Sequence, residues 1–196
     1  MGESNVERED PSRGRLVVIT GPSGVGKSTI VREVVKRTGA RFSISVTTRL
    51  PRSGEVDGQD YHFVGRDAFG EMIRRHELLE WAEVFGDMYG TPDMPIRRAV
   101  GEGQTILLDI DVQGGLQVRQ RMPEATFILI VPPGEAELAK RLMGRGSETE
   151  ESFQRRLAQA NREIQTASES GAYNHCVVND DLETAIRRIV DIVQSP

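Results

Sequence analysis

A strand, a glycine-bounded loop and a helix follow one another without a gap between Leu16 and Val35, and no other stretch constrains the chain as tightly. Leu16–Thr20 (LVVIT) is a short apolar run with β-branched residues, the pattern of a strand buried on both faces. Gly21, Pro22, Ser23, Gly24, Val25, Gly26, Lys27 and Ser28 come next, with Thr29 behind them, and match G-x-x-x-x-G-K-[ST]. Ile30, Val31, Val34 and Val35 then recur at helical spacing, with Arg32, Glu33 and Lys36 opposite. This order predicts a loop whose N–H groups turn inward around a phosphate at a helix N-terminus. Lys27 is placed to reach the β- and γ-phosphates of a nucleoside triphosphate, and the Ser28 hydroxyl to ligate Mg²⁺. A glycine-rich turn before an ordinary helix is the plainer alternative. The flanking elements, each of the right type, argue against it.

The chain of 196 residues is long enough for one domain with a real core. A net charge of −5 speaks against non-specific nucleic-acid binding, which needs a broad basic field. No apolar run approaches the roughly 20 residues of a membrane span. The acidic N-terminus (Glu3, Glu7, Glu9, Asp10) has the wrong charge for a signal peptide. A lone Cys176 excludes an internal disulfide and fits a reducing, cytoplasmic setting. Residues 1–13 read as a mobile polar tail.

Farther along, Arg41–Val46 (RFSISV) alternates as one strand, and Pro51 keeps Arg49 and Arg52 on a loop. Strands are expected at Asp60–Val64 and Leu79–Phe85, with Leu79 and Trp81 on one face and Glu80 and Ala82 on the other. A helix is expected at Arg66–His76, and a tight turn at Tyr89–Pro92 before another helix. Tyr61, Phe63, Phe69, Trp81, Phe85 and Tyr89 concentrate the aromatic residues here, which suggests a small antiparallel lobe inserted in a parallel framework. The framework resumes at Thr105–Leu108, ending in Asp109-Ile110-Asp111, and at Thr126–Val131. Helices are expected from Val112, at Glu135–Met143, Glu150–Ala167 and Asp181–Val193, with a short strand at Cys176–Val178. A break falls at 144–146, and Ser147 with Glu150 has capping-box spacing. Alternating strands and helices imply βαβ units with right-handed crossovers.

Asp109, at the end of an apolar strand, stands where a phosphate-binding loop needs a carboxylate near Mg²⁺; a plain strand terminator is the alternative. Arg49 and Arg52 with Tyr61 and Tyr89 offer the forked donors and phenolic hydroxyls that a phosphate dianion takes. Glu80, flanked by apolar residues, is a candidate buried carboxylate whose two oxygens match guanine N1–H and the 2-amino group. Arg141, Arg145, Arg155 and Arg156 are either surface partners of neighbouring glutamates or a lid over the triphosphate. His62, His76 and His175 have no metal-ligand spacing.

With these residues in view, the stretch from about Arg15 to Gln194 resembles the guanylate kinase family. The matching blocks are GPSGVGKST, S-V-TTR-PR-GE, DY-F, EWAE, YGTP, LDIDVQG, RGSETEES with RRL, and VVNDDL. The resemblance implies an α/β fold, the P-loop three-layer type with a central parallel sheet, plus an inserted α+β GMP-binding lobe and a helical lid. It puts the core at 14–46, 93–140 and 168–196, the lobe at 47–92 and the lid at 141–167, all one domain over 14–196. It implies Ser45, Glu80, Thr91 and Asp111 around guanine, and Arg49, Arg52, Tyr61 and Tyr89 on the GMP phosphate. Lys27, Arg141, Arg145 and Arg156 would serve the ATP phosphates, with Asn179 near the adenosine. The implied reaction is phosphorylation of GMP, and of dGMP, by ATP with Mg²⁺. Val46 and Met88 stand where many family members carry a polar or aromatic residue. Two rival readings are an interaction module that has lost catalysis, which should show a degraded P-loop, and a kinase of a phosphorylated sugar, which has no use for Glu80. Oligomeric state is left open.

Overall fold

The computed structural model describes residues 14–84, 86–143 and 150–195. The N-terminal tail, the 144–146 break with Arg145, and the Ser147 cap lie outside them. Strand β1 (Leu16–Thr20) runs into the glycine loop and helix α1 (Lys27–Thr38), which ends on left-handed Gly39 as its Thr-Gly sequence predicts. The segment expected as one strand, 41–46, is two: β2 (Arg41–Phe42) and β3 (Val46–Thr47), in different sheets. Alternation of period two is identical in either sheet, so the pattern cannot mark where the chain changes partner. Next come β4 (His62–Phe63), helix α2 (Arg66–Arg74), β5 (Leu78–Val84), β6 (Asp87–Pro92) and α3 (Asp93–Gly101). The chain continues with β7 (Ile106–Asp109), α4 (Val112–Arg121), β8 (Thr126–Val131) and α5 (Glu135–Met143). It closes with α6 (Glu150–Ser170), β9 (His175–Val178) and α7 (Leu182–Gln194).

The main sheet has the order β2-β7-β1-β8-β9, parallel throughout. Both faces are covered, as a parallel sheet requires. On one side Val17 and Ile19 of β1 pack with Ile30 and Val34 of α1 and with Ile186 and Ile189 of α7. On the other, Leu16 and Val18 pack with Ile96, Val118 and Phe127. Three layers result. Phe127 is fully buried, and its truncation to Ala should cost about 3–5 kcal/mol.

A second sheet, β4-β3-β6-β5, is drawn from the middle of the chain and has its own small core of Val46, Phe69 and Leu78. Met88 packs against that core, so Val46 and Met88 fill space there together. The expected turn at Tyr89–Pro92 is part of strand β6. A Cβ on Gly90 would lie 3.0 Å from the Glu80 carbonyl and 3.2 Å from Phe69 Cζ. That glycine serves close packing of strands and not chain reversal. Helix α2 ends two residues before His76, which takes the left-handed conformation (φ 55°).

The expected alternation of β5 holds from Glu80 onward, with Glu80 and Ala82 buried and Trp81 exposed, and fails at Leu79. Leu78, Leu79 and Glu80 are buried in succession where the pairing with β6 shifts register between Leu78 and Glu80. Such a bulge re-aims side chains. Leu78 enters the core of the second sheet and Leu79 that of the main domain.

Candidate active site

At the phosphate loop, the backbone leaves little choice of residue at two glycines. A Cβ on Gly21 would meet the Ile130 carbonyl at 2.3 Å, and Gly26 has φ +98° with Asn179 Nδ2 2.9 Å from its missing Cβ. Helix α1 begins with no side-chain cap and no acidic residue in its first turn. Its N–H groups and positive end therefore face the loop without a built-in anion. Lys27 Nζ donates to the carbonyls of Gly21 (2.6 Å) and Pro22 (3.4 Å), which folds it over the same loop.

The sheet brings Ser28 and Asp109 together. Asp109 ends β7 beside Ile19 of β1, and Ser28 Oγ lies 3.5 Å from Asp109 Oδ2. Burial raises the pKa of Asp109, opposed by the Lys27 charge and the Ser28 hydroxyl. A hydroxyl and a desolvated carboxylate make an all-oxygen donor pair, which fits a hard divalent cation such as Mg²⁺.

Asn179 is buried and its side chain donates to the Val25 carbonyl at 2.7 Å, which pins the loop from the end of β9. Its own carbonyl accepts from Arg141 Nη2 at 3.0 Å, and Arg141 Nε is held by Glu137 at 2.9 Å. Arg156 reaches Ser23 Oγ at 3.4 Å. The structure therefore brings Arg141 and Arg156 to the loop, while Arg155 stays exposed and Arg145 lies outside the described residues.

The second cluster stands on the other sheet. Thr47 and Thr48 fasten its loop, with Thr47 Oγ1 donating to Met88 O (2.9 Å) and accepting from Arg49 N (3.1 Å). Thr48 Oγ1 accepts from Met88 N at 2.9 Å. Arg49 is then gripped end-on by Glu55, with Nη1 and Nη2 donating at 3.0 and 2.8 Å, and it lies over the Tyr61 ring at 5.4 Å. Glu55 also accepts from Arg52 N at 2.7 Å, while the Arg52 side chain is exposed. Its neighbours hold the Glu55 carboxyl below the usual range, the bond from Arg49 first. Glu55 is the residue that motif reading missed. The signal was present, since Glu55 is the first acid after Arg49 and Arg52 and a glycine turn brings it back toward them.

Tyr61 and Tyr89 meet edge to face at 6.0 Å. Burial raises the Tyr61 phenol, and the next contribution comes from the Asp109 carboxylate. The Asp109 carboxylate of the first cluster is thus felt at the Tyr61 phenol of the second.

On β5 of the same sheet, Glu80 is only 4% exposed and accepts from Thr91 Oγ1 at 2.6 Å. Burial pushes its carboxyl up to about 7, and the Asp111 charge adds to that rise. The Thr91 bond and the Arg121 charge oppose it. Asp111 caps α4, Oδ1 accepting from Gly114 N at 2.7 Å. A Cβ on Gly114 would be 2.4 Å from Glu80 Oε2 and 3.4 Å from Asp111 Oδ1, so the two carboxylates converge on one bare backbone position. Ser45 lies on the connection between the two sheets, half-buried, and its carbonyl accepts from His62 N at 2.8 Å.

A family model described as guanylate kinase matches residues 13–196. The guanylate kinase of Synechocystis sp. is 47% identical over 182 residues, covering 92% of this chain and 94% of that protein. That of Bacillus cereus strain ZK / E33L is 49% identical over 183 residues, covering 92% and 88%. Among solved structures, the guanylate kinase from Anaplasma phagocytophilum superposes with a TM-score of 0.77 at 34% identity, covering 93% of this chain and 86% of that one.

Proposed function

Because this chain belongs to the guanylate kinase family, we propose that it transfers the γ-phosphoryl group of ATP to GMP, giving ADP and GDP, through the residues assembled above. The family membership makes the enzyme an ATP:GMP phosphotransferase. We propose further that it also accepts dGMP and works in purine nucleotide metabolism in the cytoplasm. Among the described residues no helix is long and apolar enough to cross a membrane.

In this reading the loop Gly21–Thr29 and Lys27 hold the ATP phosphates, with Arg141, Arg145 and Arg156 closing from the lid. Asn179 acts on the nucleotide through the loop carbonyl it pins. Ser28 and Asp109 hold Mg²⁺, which when bound neutralises charge on the transferring phosphates. Arg49, Arg52, Tyr61 and Tyr89 hold the GMP phosphate. Ser45, Glu80, Thr91 and Asp111 surround the base. A GMP phosphate oxygen forms the new bond to the γ-phosphorus as the bond to the bridging oxygen of ADP breaks. No general base is needed, since the acceptor is already a dianion near neutral pH. The protein supplies alignment and charge. Closing the cleft would exclude water and limit hydrolysis of ATP.

The observation that carries this reading is the buried carboxylate of Glu80, whose one hydroxyl partner leaves acceptor capacity to spare. Guanine supplies two adjacent donors, whereas adenine would meet it with a bare acceptor. The test is ADP release with Mg-ATP across GMP, AMP, UMP and CMP. GMP should exceed AMP by about 10⁴-fold in kcat/KM, the discrimination expected of a buried hydrogen-bonding site. Equal use of AMP would remove the base assignment. No turnover with any of the four would remove the catalytic one.

A further inference from the structure

Helix α4 touches the strand that carries Glu80 through one stripe, formed by Gly114, Gln117 and Arg121. Their spacing of three and then four residues puts all of them on one helical face. Gln117 uses both ends of its amide on Trp81, the residue after Glu80. Its Oε1 accepts from Trp81 N at 3.3 Å and its Nε2 donates to Trp81 O at 2.7 Å. The side chain thus completes the strand's hydrogen bonding as a neighbouring strand would. Arg121 takes the other side. Its Nη1 donates to the carbonyls of Leu78 and Leu79, at 2.7 and 2.6 Å, the two residues before Glu80 and the ones at the bulge. Gly114, one turn nearer the helix start, leaves the volume that Glu80 Oε2 needs, 2.4 Å from where a Cβ would sit.

We propose that Gly114, Gln117 and Arg121 are positioning residues that set the height and angle of the Glu80 carboxylate, so that recognition of the guanine base is decided by helix α4 as well as by Glu80 itself. This rests on the reading of Glu80 as the group that meets guanine. The backbone on both sides of Glu80 is clamped to α4, and α4 is in turn capped by Asp111. A shift of the helix relative to β5 therefore moves the base-reading carboxylate directly. The cost of poor placement is large: about 1 Å of misalignment can cost on the order of 10²-fold in rate.

Gly114→Ala separates this role from a structural one. Alanine favours a helix over glycine, and what must yield to its Cβ is the carboxyl end of the Glu80 side chain, Oε2 at 2.4 Å and Cδ at 3.0 Å, and no backbone. The melting temperature should therefore hold or rise while kcat/KM for GMP falls by about 10²-fold. Gln117→Ala and Arg121→Ala should each raise KM for GMP about tenfold, leave KM for ATP within about twofold, and narrow the preference for GMP over IMP, which lacks the 2-amino donor.

The deciding measurement is the double-mutant cycle with Glu80→Gln. If α4 acts through Glu80, Gln117→Ala loses most of its effect on GMP in the Glu80→Gln background. A loss of the same size in both backgrounds overturns the proposal and leaves the role of Glu80 standing. Unchanged GMP efficiency and unchanged discrimination against IMP in Glu80→Gln alone would overturn both. Should Arg121→Ala fail to fold, Gln117→Ala, half-exposed on the helix, carries the cycle by itself.

Discussion

The two anion sites proposed for this molecule are built in opposite ways. The triphosphate site is centred on one contiguous stretch of backbone: the loop from Gly21 to Ser28, a helix end without acidic residues and one lysine resting on loop carbonyls, with Asp109, Arg141 and Arg156 brought to its edge by the fold. The acceptor site is almost entirely side chains from distant segments, and two of its charged groups are already held by partners. Arg49 is paired with Glu55, and Glu80 is bonded to Thr91. A backbone site depends on main-chain conformation and tolerates side-chain change outside its glycines. A side-chain site depends on every supporting contact and can be retuned by any of them. That difference predicts where mutations should be severe and where they should alter selectivity.

The largest effect should come from Lys27→Ala. The backbone cradle remains, so ATP still binds. The charge that would follow the transferring phosphoryl is gone, and kcat should fall by about 10³-fold, the loss seen when one preorganised electrostatic group is removed. KM for GMP should change little. If it rose as much as kcat fell, the two sites would be coupled already in the ground state, and the contrast drawn above would weaken.

Next in size is Glu80→Gln, with a loss of about 10²–10³-fold in kcat/KM for GMP. That corresponds to hydrogen bonds to a charged acceptor of about 1.5–3 kcal/mol each. The pH dependence gives a sharper check, because activity and stability should run in opposite directions. The raised carboxyl of Glu80 titrates at about 7 in the free protein. Only the ionised form offers two acceptors to guanine, so kcat/KM for GMP should fall as pH drops below about 7. In the unfolded chain the same group titrates near 4.3. Between the two values the native state holds a proton that the unfolded state has lost. This group's contribution to stability is thus intact at low pH and declines as pH rises through about 7. Denaturant midpoints measured from pH 5 to 8 should fall more steeply for the wild type than for Glu80→Gln. Parallel slopes would mean that Glu80 is solvated.

The same contrast explains what could be read from sequence. Strands β1 and β8 match their apolar runs, and helix α5 its amphipathic run, residue for residue, because each expresses a local period. The glycine loop was legible because all its chemistry lies within a few residues. The partition of 41–46 between two sheets, the bulge before Glu80 and the strand through Gly90 were not legible. Each is decided by a partner tens of residues away. Burial of Glu80 was inferable from its apolar neighbours, but its bond to Thr91 required the register of β5 against β6. Likewise Asp111 reads as a base contact, yet its observed bond caps α4, and only the fold shows that Gly114 places the cap beside Glu80.

The smallest effect should fall on Glu55, where two terms oppose each other. By gripping Arg49 end-on, Glu55 removes conformational freedom that Arg49 would otherwise lose on binding GMP, a side-chain entropy of up to about 2 kcal/mol. It also sets a negative charge near the site of a phosphate dianion. At the edge of a cleft, with effective dielectric constants well above those of a dry interior, that repulsion is about 1 kcal/mol. Ordering should win by a narrow margin. Glu55→Ala, which removes both, should raise KM for GMP by about three- to tenfold. Glu55→Gln keeps an acceptor for the fork and removes the charge, and should leave KM within about twofold of the wild type. Salt separates the terms, since the charge contribution is screened at 0.5 M and the ordering contribution is not. The gap between the Ala and Gln variants should therefore persist in high salt. A gap that closed with salt, or an Ala variant that bound GMP more tightly than the wild type, would show that Glu55 acts through its charge. The acceptor site would then be tuned by field, as the triphosphate loop is, and not by the fixed placement of its side chains.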